Sequence, residues 1–372
     1  MSPSDTVLWT TPLDALHREL GGKMVPFAGY AMPVQYPKGI LGEHLATRSG
    51  AGLFDVSHMG QVTIEAADPA ALLEKLVPGD IAGLGVGRTR YSVFTNPAGG
   101  ILDDLMISKL GPTKLYLVVN AACKQADFAH MKDKLGADAD IRMLDDRALL
   151  ALQGPKAAEV MSGLCDGAAQ QPFMSIRETH VAGIDALITR SGYTGEDGYE
   201  ISVPAAKAEK LARLLLGLPG VEPVGLGARD SLRLEAGLCL YGSDIDTETS
   251  PIEAGLSWII GKRRREQGGF PGADRILAEL ADGPAKRRVG IRPDGRAPAR
   301  AHTEITDEAG NRLGEVTSGG FGPSLDGPLA MGYVPAAFAQ PGTKVKLVVR
   351  GKPLDATIVA MPFVAHRYFK GV

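Results

Sequence analysis

The sequence predicts an α+β fold: two related antiparallel layers followed by a small all-β domain. Three observations carry this. A β-α-β-β-α order of patterned segments over residues 61–135 recurs over residues 148–216. From about Lys286 onward, short strand-like runs alternate with Gly/Pro turns and no helix is evident, which is the pattern of a small β domain. Within the first layer, residues 96–104 (NPAGGILDD) form a turn that runs straight into two adjacent carboxylates. Strands joined by so short a turn pair antiparallel. A chain of 372 residues is long for one core, and two or three domains are expected.

The elements follow in chain order. Thr11-Pro12 ahead of Leu13, Leu16 and Leu20, with Gly21 after them, predicts a helix with Thr11 as N-cap, Pro12 at its first position and Gly21 just past its end. Residues 40–48 suit a second helix. Residues 61–65 (QVTIE) alternate as a strand, and Asp68-Pro69 opens a helix with Leu72, Leu73 and Leu76 on one face. Residues 90–95 (RYSVFT) and 105–110 (LMISKL) flank the Gly-rich turn and predict a hairpin. Gly111-Pro112 leads to a strand at 114–120 and a helix over 121–135. In the second layer, 148–153 is a strand, 155–164 a helix, 184–190 and 198–203 strands, and 207–216 a helix. Between those last strands lies the bend 191–197 (SGYTGED). Residues 225–234 (GLGARDSLRL) open another helix. A linker falls near 281–285, and strands at 289–292, 314–317 and 344–349 follow.

The bulk numbers exclude several classes. The net charge is −3, from 40 basic and 43 acidic side chains, so nothing favours nucleic acid as the main partner. Cys123, Cys165 and Cys239 are far apart and show no CxxC spacing, which fits a reducing compartment better than a disulfide framework. No apolar run is long enough for a membrane span. Residues 1–9 (MSPSDTVLW) carry neither a basic n-region nor an apolar h-region, so no signal peptide is expected. The expectation is a cytoplasmic protein, or a mitochondrial-matrix one if the source is eukaryotic.

Several residues are candidates for chemistry. Side chains alternate along a strand, so Asp103 and Asp104 point to opposite faces. A carboxylate carried under a sheet is neutralised, paired or placed to meet a cation; the plainer reading is a turn-capping Asp beside a solvated one. His58, in 55–60 (DVSHMG), is the most site-like histidine, although a hydrogen-bonded structural role suits it as well. Glu200 sits in an apolar strand where a carboxylate needs a donor, unless that face is exposed, and Glu196 lies on the turn before it. Arg229 and Arg233 share one helix face. Arg229 stands near the helix N-terminus, where the macrodipole disfavours a cation, unless Asp230 or Glu235 pairs with the two arginines. The run 262–265 (KRRR) reads as a solvated face or as a docking patch for an acidic partner. The glycines at 83, 85 and 87 follow a helix and precede a strand, the reverse of a dinucleotide loop.

Six segments together resemble the glycine cleavage system T-protein family: 54–59 (FDVSHM), 99–105 (GGILDDL), 191–198 (SGYTGEDG), 228–237 (ARDSLRLEAG), 240–242 (LYG) and 361–364 (MPFV). They lie in family order over essentially the whole chain. The resemblance implies a three-domain cloverleaf, with two antiparallel α+β domains and a C-terminal small β-barrel around a central folate channel. It divides the chain into 1–280, made of 1–60 with 140–225 and 61–139 with 226–280, and a barrel over 286–372. It implies an aminomethyltransferase. The one-carbon unit passes from the lipoyl sulfur of H-protein to tetrahydrofolate, ammonia leaves, and methylenetetrahydrofolate and dihydrolipoyl H-protein result. Loss of thiolate from an N–CH₂–S unit gives an iminium cation, so a carboxylate is needed beside the reacting carbon. By family register that carboxylate is Asp103. Glu200 would take the amino-pyrimidine edge of the pterin; Tyr91, Asn120, Tyr193 and Arg229 would line the folate site. Tyr368 would contact folate, with Arg367 or Lys370 at its glutamate tail, and the basic run 262–265 would dock H-protein. No metal or redox centre is implied. Two other readings are a folate-dependent demethylase of the same superfamily and a non-catalytic folate-binding protein of iron–sulfur maintenance. Against the second, residues 238–242 (LCLYG) lack the Lys-Gly lead-in of that group.

Overall fold

The computed structural model describes residues 7–371; residues 1–6, part of the segment without a leader pattern, lie outside them. The described strands form two open sheets, a two-stranded hairpin and a closed barrel. The larger open sheet runs in the order Ser175–Val181, Ile184–Arg190, Gly198–Pro204, Arg147–Gln153, Ala51–Asp55 and Val221–Pro223. Its pairs are antiparallel apart from the last, which is parallel. The smaller sheet runs Thr89–Thr95, Ile101–Gly111, Lys114–Val119, Gly60–Glu65 and Asp140–Met143, and is antiparallel throughout. It is therefore built from one continuous stretch of chain, inserted between two strands of the larger sheet.

Each sheet buries one face under helices. Leu105, Ile107 and Leu117 of the smaller sheet pack on Ala70 and Leu73 of the Pro69–Leu73 helix and on Met131 and Leu135 of the Lys124–Leu135 helix. Leu150, Leu152, Ile188 and Ile201 of the larger sheet pack on Met161, Leu211 and Leu215. The opposite faces of the two sheets look inward and meet around the Leu226–Glu235 helix, where Phe54, Leu149 and Ala151 join Tyr116, Val118, Ala228 and Leu232. Alternation in the strands makes this possible, since each sheet is apolar on both faces. Polar groups that cross the seam are satisfied: Gln61 Oε1 accepts from the hydroxyls of Tyr116 at 2.8 Å and Ser202 at 2.5 Å. The C-terminal strands close a six-stranded barrel around Val289, Ile291, Val316, Leu347 and Ile358.

The α+β class and the all-β C-terminal domain are as expected. One local expectation is corrected, and two elements are added to those read from the sequence. The first helix spans Asp14–Glu19 with Leu13 at its N-cap. Thr11 Oγ1 donates to Asp55 Oδ2 at 2.6 Å and accepts from Leu13 N at 3.3 Å, ahead of the helix and not at its N-cap. Lys23–Phe27 and Tyr30–Gln35 pair as a hairpin where the prolines at 26 and 33 argue against strands. The basic run at 262–265 lies in a helix, Lys262–Gln267, which is followed by another, Ala273–Asp282.

Candidate functional site

The two aspartates lie inside the Ile101–Gly111 strand, not at its start. The turn before them is fixed by its docking. Asn96 Oδ1 accepts from Gly100 N at 3.0 Å, and Asn96 Nδ2 donates to Thr247 O at 2.9 Å. A Cβ at Gly100 would stand 1.8 Å from that same carbonyl oxygen, so only glycine lets the turn seat there. This locks the register of the strand that follows.

That register assigns the faces, and it puts Asp103, the residue expected beside the reacting carbon, on the covered one. Asp103 shares its parity with Leu105 and Ile107, the face covered by the Lys124–Leu135 helix, and is fully buried. Its Oδ2 accepts from the backbone N–H of Asn120 at 3.0 Å and its Oδ1 from Asn120 Nδ2 at 2.9 Å. Asp104 shares its parity with Met106, which faces the inward seam. Its Oδ2 accepts from the Tyr91 hydroxyl at 3.0 Å and its Oδ1 from Asn120 Nδ2 at 2.6 Å. Burial, and then the neighbouring charge of Asp103, push the Asp104 carboxyl up to about 7. A usable sign was present in the pattern: Ile101, Leu105 and Ile107 are the apolar parity, and Asp103 falls on it.

Around Asp104 the inward faces gather most of the candidates. Tyr91, from the Thr89–Thr95 strand, stacks on Trp258 with ring centroids 5.6 Å apart and planes at 24°. Burial raises the pKa of its phenol, and so does Asp104. Tyr193, on the bend after Ile184–Arg190, donates to the Cys239 carbonyl, and the Arg229 guanidinium lies 4.7 Å over its ring. Among the described residues the Arg229 side chain makes no hydrogen bond or ion pair. Burial lowers its pKa. Glu200, on the inward parity of Gly198–Pro204, has its pKa raised by burial, with Arg229 and Ser191 pulling the other way. Unpaired charges under a protein surface are costly, and this recess holds two of them facing each other's field. Trp258, 61% exposed, was not singled out in the sequence, where it lies within the apolar run 256–260 (LSWII).

Other expectations part from this cluster. Tyr368 stacks on Phe173 at 4.1 Å and 11°, with His366 beside it, and no described contact joins it to Asp104, Glu200 or Arg229. Arg367 pairs with Glu196. Glu196 itself is buried in a knot of charges: Arg48 bridges Glu196 at 2.7 Å and Glu235 at 2.9 Å. Glu235 also takes His44 at 3.1 Å and both the N–H and hydroxyl of Ser324 at 2.7 Å. Arg233 pairs with Asp230 and Asp244, each at 2.8 Å. His58 is buried, but its Nδ1 has no partner among the described residues, so it is not the satisfied histidine expected. Burial, joined by the charge of Arg229, lowers it to about 4.

The basic run is largely spent inside the molecule. Arg263 pairs with Asp80 at 2.6 Å and with Glu74. Arg264 is buried and donates to the carbonyls of Glu74 and Val77. Arg265 donates to those of Ile260 and Ser257. Lys262 alone of the four is fully in solvent, with its side chain 90% exposed. Arg263 and Arg264 thus clamp their helix to the segment 74–80, while Lys262 and Arg265 stay exposed.

Comparison with known proteins adds what geometry cannot. Residues 13–264 match the GCVT N-terminal domain, and residues 286–365 the glycine cleavage T-protein C-terminal barrel domain. The chain is 48% identical over 376 residues to a mitochondrial aminomethyltransferase of Flaveria anomala, covering 99% of this chain and 92% of that one. It is equally identical, over 377 residues, to the mitochondrial aminomethyltransferase of Homo sapiens, covering 99% and 93%. A crystal structure of glycine cleavage system aminomethyltransferase T from Bartonella henselae superposes with a TM-score of 0.93 at 48% identity, over 98% of this chain and all of that one.

Proposed function

The chain belongs to the glycine cleavage T-protein family and is an aminomethyltransferase; we propose that the recess around Asp104 is where its one-carbon transfer takes place. The cosubstrate is tetrahydrofolate and the donor is the aminomethyl-lipoyl group of H-protein. The carbon moves from the lipoyl sulfur to folate nitrogen, ammonia departs, and methylenetetrahydrofolate and dihydrolipoyl H-protein are left. No helix among the described residues is long and apolar enough to cross a membrane.

The observation that carries this reading is the pair of charges left without an ion pair on the inward faces, Arg229 and Glu200. A folate supplies what each lacks. Its amino-pyrimidine edge offers N–H donors to the Glu200 carboxylate, and such charge-assisted bonds are strong and directional. Arg229 is left free to donate to a ligand carbonyl or carboxylate while it keeps its seat on Tyr193. Tyr91, Trp258 and Tyr193 give flat apolar walls that orient an aromatic ring and keep water from it.

Asp104, rather than Asp103, is the carboxylate on this side of the strand. An ionised Asp104 opposes the positive charge that develops as sulfur leaves carbon, the mirror image of an oxyanion hole. A proton affinity near neutral also suits it to take a proton from the folate nitrogen as that nitrogen attacks. Asn120 and Tyr91 hold one oxygen each, so the carboxylate meets the carbon in one orientation.

The test is direct. The protein is mixed with aminomethyl-lipoyl H-protein and tetrahydrofolate, and ammonia and methylenetetrahydrofolate are followed together. Both appear in equal amounts if the reading is right. No product with a competent H-protein would sink it. Methyl transfer from a methylated amine instead of from H-protein would favour a demethylase.

A further inference from the structure

Beneath the Asp104 carboxylate lies a second acidic group that the reaction as described leaves without a task. Asp103 is fully buried and accepts both N–H groups of Asn120, main-chain and side-chain. The same Asn120 Nδ2 also donates to Asp104 Oδ1 and, at 3.1 Å, to the Asp104 carbonyl. One amide therefore ties the two carboxylates together across the strand. Behind Asp103, from the Lys124–Leu135 helix, stands Asp127, 4% exposed and in hydrogen-bonding contact with it. Asp127 Oδ2 is buried with no donor near it among the described residues. An ionised oxygen there would be costly, whereas a carboxylic acid would give its O–H to Asp103 and leave nothing unsatisfied.

We infer that Asp103 is a positioning residue for Asp104: paired with a protonated Asp127, it anchors Asn120 and places a fixed negative charge behind the carboxylate that meets the substrate. Two carboxyl groups this close share a single proton, as like charges cannot both remain in a buried site. Burial and then Asp103 drive the Asp127 carboxyl well above its ordinary range, so the shared proton belongs on Asp127. Asp103 is left as the acceptor that Asn120 requires. Burial first and then the Asp103 charge raise the proton affinity of Asp104, bringing it into the range where it can both oppose a cation and exchange a proton.

The other groups facing Asp104 do not substitute for this. Tyr91, from the neighbouring strand, donates to it. Tyr193 and Cys239, from the bend and the segment after the Leu226–Glu235 helix, lie within its field and have their own pKa values raised, chiefly by burial. Cys123, at the start of the Lys124–Leu135 helix, is likewise raised. Each of these is neutral near pH 7, while Arg229, Arg233 and Arg288 act on Tyr193 and Cys239. After burial, Asp103 is the leading influence that raises Asp104.

The inference rests on Asp104 as the reacting carboxylate, and the experiment separates the two. Single-turnover rates are measured against pH with aminomethyl-lipoyl H-protein and saturating tetrahydrofolate. The unaltered protein loses rate as pH falls through about 7, where Asp104 gains its proton. Asp103→Asn removes the charge behind it and moves that limb down by about one pH unit, with folate affinity held within about threefold by the intact Glu200 and Arg229. Asp127→Asn keeps a neutral side chain of the same shape and leaves the limb in place. A limb that stays put in Asp103→Asn, with only a uniform loss of rate, overturns the inference. So does an equal displacement by both variants. Full turnover in Asp104→Asn would bring down the reading of the site, and this one with it; a dead Asp104→Asn beside an unmoved Asp103→Asn limb brings down this one alone. Should Asp103→Asn fail to fold, ¹³C titration of the aspartate carboxyls in the unaltered protein decides, assigned by difference against Asp127→Asn. An Asp127 still protonated at about pH 8 supports the pair, and an ionised one overturns it.

Discussion

Two buried clusters of charge lie a few residues apart in this chain and are built on opposite principles. In the knot at the barrel junction, Glu196 and Glu235 are met by Arg48, His44, Arg367 and Ser324, and both oxygens of Glu235 are used. In the central recess, Arg229 has no hydrogen bond or ion pair among the described residues, and Glu200 has only its neighbour Ser191. Both draw on the same two segments, 191–200 and 226–235: the knot takes Glu196 and Glu235 and brings its arginines from elsewhere, whereas the recess takes Glu200 and Arg229. Each acid of the knot is ion-paired within the protein, although Arg48 Nε and Glu196 Oε2 keep no hydrogen-bond partner among the described residues, and the knot serves stability. The recess leaves its charges without ion pairs, a cost that the proposed folate site accounts for.

Changes in the two clusters separate along that line, and the largest effect is expected in the recess. Asp104→Asn should lower turnover about 10³-fold, the scale on which one preorganised charge or acid–base group acts. It should change tetrahydrofolate affinity far less. A parallel collapse of binding, with chemistry intact in single turnover, would make Asp104 a binding residue instead. Next comes Glu235→Gln. Breaking a buried ion pair typically costs about 3 kcal/mol, read as a lower midpoint in urea, with any loss of rate tracking the loss of folded protein.

That second change also has a pH signature. Burial pushes the Glu235 carboxyl up, but His44 and Ser324 outweigh it and hold the group at about 2. Its folded pKa is depressed, so its stabilisation is complete above the unfolded value of about 4.3 and is lost as pH falls through about 2. Stability of the unaltered protein should fall across that window, and Glu235→Gln should flatten the fall. An unchanged slope would show that the knot is not where the charge matters.

Smaller effects test the recess from the other side. Arg229→Gln should weaken tetrahydrofolate binding by about 10- to 100-fold, the worth of one charged hydrogen bond. It should leave the melting midpoint unchanged or raise it, because an unpaired buried charge has gone. A clear loss of stability would mean that Arg229 is a structural cation like Arg48. Least of all, Lys262→Ala should leave turnover within about twofold and stability within about 0.5 kcal/mol, as an exposed lysine 3.8 Å from Glu266 contributes little. A marked rise in the KM for H-protein would restore the basic run as a docking surface.

Much of this was legible in the sequence, and the failures have physical causes. Period-two runs such as 114–119 and 184–190 announce their strands because one face is buried and the turns on either side are sharp. The hairpin at Lys23–Phe27 and Tyr30–Gln35 hides behind its prolines, which an edge pairing tolerates. The helix from Lys262 to Gln267 hides behind its arginines, whose targets, Asp80 and Glu74, lie far off in sequence. Of the site, the turn, Tyr91, Asn120, Tyr193, Glu200 and Arg229 could be named from local pattern and resemblance. Alternation fixes that Asp103 and Asp104 differ, not which of them faces the helix; the packing of Asp127 and the helix that carries it puts Asp103 on the covered face.

The nesting of the sheets has a consequence for how the chain is made. A ribosome delivers residues 60–143 as one run, and that run contains every strand of the smaller sheet and the helices that cover its outer face. The strand Ala51–Asp55 emerges earlier, yet its sheet partners are Arg147–Gln153 and Val221–Pro223. The older strand must therefore wait, unpaired, while the younger domain closes ahead of it. Protease challenge of stalled nascent chains should find the smaller sheet resistant once residue 143 has cleared the exit tunnel, with the first fifty-odd residues still open to cutting until synthesis passes residue 223.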